Sequence, residues 1–184
     1  MVGYGEVLQT IGAMVIFSLI LLSATSMIQR NTYMQIEGEL EQEVIALAQD
    51  IIEEARTKEF DEVSVGATAP PADIPGDFKT PSTLGPETSG TQDDDQNGDG
   101  KVTRHEFDDF DDYNGWEDVV ETEHGEFNIR AEVFYVDETN FESTNTQTTF
   151  KKLRVYITSK YLDRQSSGSP TLYSLEFVRN YYAD

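Results

Sequence analysis

A chain of 184 residues has room for one modest core and one long accessory element. Its 35 acidic side chains against 13 Lys and Arg give a formal charge of -22, which repels phosphate backbones and anionic lipid surfaces, so nucleic acid is not an expected partner. The absence of cysteine excludes disulfide frameworks, thiolate metal sites and thiol nucleophiles together.

The charge is unevenly spread. Residues 1–27 contain a single side chain charged at neutral pH, Glu6, and residues 7–28, VLQTIGAMVIFSLILLSATSMI, are apolar enough to cross a bilayer as a helix. The first basic residue, Arg30, follows the apolar run instead of preceding it, so the segment reads as a retained membrane helix and not as a cleaved secretory signal. A carboxylate at the edge of such a segment is costly unless paired or left among the headgroups. Glu6 therefore either meets a free α-amino group, its own or a neighbour's, or stays at the interface.

Residues 29–60 lack proline and carry Leu40, Val44, Leu47, Ile51 and Ala55 in steps of three and four, the stripe of an amphipathic helix. Glu37, Glu39, Glu41, Glu43, Glu53, Glu54, Arg56 and Lys58 suit its solvated face. A helix unbroken from the start would be about 90 Å long. Gly12 and Gly38 are the places where it could loosen.

Residues 61–126 are expected to form a long loop region. Its first half, SVGATAPPADIPGDFKTPSTLGPETSGTQ, holds every proline except Pro170 and supports neither a long helix nor a central strand. A loop of that length needs a pin. DQNGDGKVTRHE, residues 95–106, supplies one by matching the pattern D-x-[DN]-x-[DN]-G-x5-E. Asp95, Asn97 and Asp99 take loop positions one, three and five, and Gly100 permits the sharp reversal at six. Lys101 offers its carbonyl at seven, Thr103 acts at nine, and Glu106 closes the loop as a bidentate ligand. Calcium suits this all-oxygen set, and the residues before the loop do not read as the helix of a paired EF-hand. A solitary loop of the EF-hand-like or dockerin type is a structural clip, working at roughly 10⁻⁴–10⁻³ M. Asp93, Asp108, Asp109, Asp111 and Asp112 flank it in the stretch that runs on to FDDFDDYNGWED, as ligands of a second cation, as extra ligands to the first or as a solvated acidic turn, with Trp116 as an anchor.

Residues 127–184 contain the strand pattern. Phe127, Ile129, Ala131, Val133 and Tyr135 share one face of a first strand, and Leu153, Val155 and Ile157 one face of a second. Tyr173, Leu175 and Phe177 alternate with Leu172, Ser174 and Glu176 in a third. The expected fold is α+β: a long N-terminal helix packed, through Leu47 and Ile51, on a C-terminal antiparallel sheet of about three to four strands. His105 occupies a non-ligating loop position and His124 precedes a turn, so neither has a nucleophile partner readable from spacing, and no enzyme is expected.

This layout resembles the type IV pilin and pseudopilin superfamily: an apolar N-terminal segment with one early Glu, an amphipathic continuation and a small β-rich head. The sharpest likeness lies in residues 6–55, and Asp-rich stretches ending in a Gly-aromatic pair, like Gly115-Trp116 here, also occur in pilin-like proteins. The resemblance implies that Met1 is a processed terminus and Glu6 the carboxylate that aligns an incoming subunit, although Glu6 stands sixth where the family has its Glu fifth. Where the family often melts its helix at a proline, this chain offers Gly12, Ser18, Ser23 or Ser26. By the same resemblance the partners are copies of the chain in a helical homopolymer and an inner-membrane assembly machine. The chain would sit in the inner membrane before assembly and in an extracellular filament after it. A minor pseudopilin of a secretion machine, or an anchored calcium-binding envelope or adhesion protein, would share much of this sequence.

Overall fold

The computed structural model describes residues 3–87, 94–95, 97–98, 102–162 and 171–183. Helix α1, Tyr4–Thr57, is one element, and it runs through Gly12 and Gly38 without a break. Two compact units divide the chain, Met1–Gln42 and Glu43–Asp184.

In the first unit the helix keeps its apolar side chains uncovered as far as Ile36, and Leu40 is buried. Leu8, Met14 and Leu22 are 73%, 70% and 66% exposed, and the most apolar 18-residue window, of mean hydropathy 2.2, is 0% buried. Five of its hydroxyls are satisfied within the helix itself. Thr10 donates to the carbonyl three residues back, and Ser18, Thr25, Ser26 and Thr32 donate to the carbonyls four residues back. Such back-bonding lets a Ser- and Thr-containing helix present an almost wholly apolar surface.

In the second unit residues 43–57 of α1 pack on a four-stranded antiparallel sheet, the α+β arrangement expected. Val44, Ala48, Ile51 and Ala55 are the buried stripe. Leu47 of the predicted stripe is only half-buried, and Ala48, with a smaller side chain, takes the enclosed position. The strands are β1 (Glu117–Thr122), β2 (Gly125–Tyr135), β3 (Phe150–Thr158) and β4 (Leu172–Asn180), paired in chain order. Phe127, Ile129, Ala131 and Val133 of β2 and Leu153, Val155 and Ile157 of β3 are buried on one face, as alternation predicts. Strand β1 lies inside the region read as loop. Its sequence, EDVVET, has a mostly exposed pattern and gives no alternating apolar signal. The β1–β2 turn needs a glycine, since Gly125 has a φ of +120° and a Cβ there would collide with the Tyr161 ring.

Two cations interrupt the apolar inner face at one end. Lys151 of β3 pairs in register with Arg179 of β4 on one side and Tyr135 of β2 on the other, and all three are buried. Arg179 reaches the end of α1, donating to the carbonyls of Lys58 at 2.6 Å and Glu59 at 3.1 Å, with its guanidinium 5.6 Å from the Phe110 ring centroid. A cation beside a helix C-terminus is favourable against the helix dipole, and here it also satisfies the two carbonyls just past α1. Arg179→Met is expected to lower head stability by about 2 kcal/mol, the scale of a hydrogen bond to a charged group. Urea unfolding of the full chain in detergent, followed by Trp116 fluorescence, checks this, and an unchanged midpoint would remove Arg179 from the set of docking residues.

Beside this row Phe60, Phe78 and Tyr181 form an aromatic cluster with ring centroids 5.1–5.4 Å apart. Tyr181, near the end of the chain, is thus a packing residue of the linker core.

Candidate metal centre

Of the predicted loop ligands, Asp95, Asn97, Thr103 and Glu106 are described, whereas Asp93, Asp99 and Lys101 lie outside the described residues, as does Gly100. Two of these, Asn97 and Thr103, converge on Glu106. Asn97 Nδ2 donates to Glu106 Oε1 at 2.9 Å, while the Thr103 amide and hydroxyl donate to Oε2 at 2.9 and 2.8 Å. Positions three, nine and twelve of the motif therefore meet at one carboxylate. Gly98 makes a tight turn on Asp95, with φ of +72° and its N–H donating to the Asp95 carbonyl at 3.2 Å. Arg104, inside the loop, ties it to α1 through Asp50 at 2.9 Å and Glu54 at 2.5 Å, and lies 5.7 Å from the Trp116 ring centroid. Trp116 anchors the loop through that contact and through an edge-on contact with Tyr113.

A larger acidic assembly lies just beyond the loop, and it divides into two parts. In the first, lysines neutralise the carboxylates. Lys151, fully buried, donates to Asp61 Oδ2 at 2.7 Å, to the Phe60 carbonyl at 2.8 Å and to Asp111 Oδ1. Lys79 lies 3.1 Å from Asp111 Oδ2, pairs with Glu87 and donates to the Gly85 carbonyl at 2.7 Å. Asp61 also accepts the Lys79 backbone N–H, at 3.1 and 3.2 Å. Burial alone would lower the pKa of Lys79, yet the charges of Asp111 and Asp109 push it above the ordinary lysine value. Asp111, one of the residues flagged as a second-site ligand, thus has both oxygens engaged by protein cations.

The second part is compensated only at Glu87, by Lys79. Glu87, Asp94 and Asp112 each bring a carboxylate oxygen to one point, all within 4.8 Å of one another. Glu87 and Asp94 are clasped at the backbone, the Asp94 N–H donating to the Glu87 carbonyl at 3.0 Å and the Glu87 N–H to Asp94 Oδ2 at 2.8 Å. Asp112 stands on a short 3-10 turn, Asp111–Tyr113, and is fully buried. Its Oδ2 accepts the Asp108 and Asp109 backbone N–H groups at 2.9 and 3.0 Å, while its Oδ1 has no donor. Glu87 Oε2, Asp108 Oδ1 and Asp109 Oδ2 are likewise buried without a donor. Buried polar atoms are normally satisfied, and several unsatisfied carboxylate oxygens at one place are unusual.

The electrostatic cost is visible in the proton affinities. Burial, followed by the charge of Asp112, pushes Asp94 up to about 8. Burial raises Glu62 to about 7, helped by Glu87 and Asp108, and raises Asp112 to about 6 against its two backbone hydrogen bonds. Asp109 is held well above the carboxylate range by burial and by Asp111, and Asp108 is raised by burial and by Glu87. Negative charge is unwelcome here until something positive arrives.

Sequence spacing points to Asp108, Asp109, Asp111 and Asp112 but not to Glu87, Asp94, Asp61 or Glu62, which only the fold brings alongside. Of the histidines, His105 is exposed and His124 Nδ1 lies 3.3 Å from Glu43. No family model, curated protein or solved structure gives a significant match to this chain.

Proposed function

We propose that the chain is the structural subunit of a type IV pilus-like extracellular filament, stored in the inner membrane by its apolar helix and assembled through that helix. The observation that carries this reading is the uncovered apolar first unit of α1, 0% buried over its most apolar 18-residue window, in a chain whose other unit has a core of its own. Such a surface needs lipid or other helices against it, and one apolar helix can satisfy the requirement first in the bilayer and then in a helical bundle. The back-bonded hydroxyls favour both environments equally. The loop 95–106 is read as a calcium clip of the head, supported by the convergence of Asn97, Thr103 and Glu106 on one carboxylate.

Electron microscopy of native protein sheared from the cell surface tests the polymer. Thin regular filaments are expected, lost when Glu6 is replaced by Ala if its carboxylate aligns subunits. Detergent-dependent monomers alone, with an unprocessed N-terminus, would instead indicate an anchored envelope protein, and filaments in which this chain is confined to the tip would indicate a minor pseudopilin.

A further inference from the structure

We infer that Glu87, Asp94 and Asp112 form a second calcium site in the head, distinct from the loop 95–106. Three chain stretches meet there: the end of the linker (Glu87), the approach to the loop (Asp94) and the 3-10 turn after it (Asp112). Oxygens that ligate one calcium ion at about 2.3–2.6 Å lie no more than about 5 Å apart. The three carboxylate oxygens, all within 4.8 Å of one another, meet that limit.

Donor chemistry selects the cation. All three side chains are carboxylates, a hard set suited to calcium or magnesium and not to metals that seek imidazole or thiolate. Magnesium retains most of its water and demands near-ideal octahedral geometry at about 2.0–2.1 Å, which a largely buried triad of protein oxygens does not favour.

Two observations separate this site from a cluster of solvated acids. Asp112 is fully buried with Oδ1 lacking any hydrogen-bond donor, and Oε2 of the half-buried Glu87 also lacks one. The neighbouring lysines, meanwhile, face the other carboxylates: Lys151 serves Asp61 and Asp111, and Lys79 reaches only Oε1 of Glu87. The protein's own cations thus occupy both oxygens of Asp111 and one of Glu87, and leave Glu87 Oε2 and Asp112 Oδ1 to a bound one. The site stands whether or not the chain polymerises, since all its residues belong to the head.

The test is calorimetric titration of metal-stripped full-length chain in detergent with calcium chloride. Wild type is expected to take up about two equivalents. Glu87→Gln and Asp112→Asn should each remove one of them while Glu106→Gln removes the other, and near-UV circular dichroism in saturating calcium establishes that each variant is folded. Glu87 is the safer replacement, because it is partly exposed at the rim, and Asp112→Asn retains a side-chain oxygen to accept the Asp108 and Asp109 N–H groups. A single equivalent that survives Glu87→Gln and vanishes in Glu106→Gln overturns the second site, as does the absence of any binding. A single equivalent with the opposite behaviour supports it and overturns the loop assignment instead.

Discussion

Lys151→Met is expected to destabilise the head by about 3–5 kcal/mol, the cost of removing one partner from a buried ion pair and leaving the other charge in place. Methionine fills most of the space and keeps the strand, so the loss isolates the charge. With Nζ gone, Asp61 and Asp111 face each other without their shared cation, the Phe60 carbonyl loses a donor, and the rings of Phe60 and Tyr135, 4.7 and 5.5 Å from Nζ, lose their cation–π partner. Lys79 remains beside Asp111 and limits the damage there, so Asp61 carries most of it. Adding Asp61→Asn to the variant should recover part of the lost stability, because the uncompensated charge goes with it. Urea unfolding in detergent measures both, and a loss below about 1 kcal/mol for Lys151→Met would mean that the ion set is not what holds the linker to the sheet.

In the presence of a strong chelator, head stability is expected to fall as pH rises from about 5 to about 8, by an amount on the order of 3 kcal/mol. The direction follows from linkage. Asp94, Glu62 and Asp112 have folded values raised from 3.8, 4.5 and 3.8 to about 8, 7 and 6, so the folded state holds their protons more tightly than the unfolded chain does. Stability from these groups is fully present below the unfolded values and is lost as pH rises through the folded ones. The groups facing them act in both directions: Glu87 and Asp108 add to the rise at Glu62, and Lys79 opposes it there and at Asp112. Saturating calcium should flatten or reverse the slope, since the ion takes the place of the protons and binds better as they leave. Thermal unfolding across this pH range, with and without calcium, reads the effect directly. Identical profiles in the two conditions would rule out a cation at these carboxylates.

Much of the head's architecture is legible in its residues alone. Phe127 to Val133 and Leu153 to Ile157 repeat with a period of two because one sheet face is buried, and the helix stripe repeats in threes and fours for the equivalent reason. Strand β1 escaped because an edge strand with little buried surface has no need of apolar alternation. The row Tyr135–Lys151–Arg179 carries a further signal: each residue is in phase with the buried positions of its own strand, and a cation in that phase means that anions or carbonyls lie opposite. Loop 95–106 has its spacing written in consecutive residues. Glu87 and Asp94 meet Asp112 only through the path of the linker, and no local pattern encodes such a meeting.

The way Lys58 and Glu59 are held decides how the head answers tension along its stem. Their carbonyls accept from Arg179, while the Glu59 N–H donates to the Asp108 carbonyl at 3.1 Å and the Glu59 carbonyl accepts the Phe110 N–H at 2.9 Å. A pull delivered through α1 therefore reaches the last strand and the acidic segment at the same moment. Bonds loaded together in shear share the force, whereas bonds peeled one after another each bear it alone. Drawing Lys58 and Glu59 out of the head would therefore mean parting from two segments, β4 and residues 108–110, and not from one.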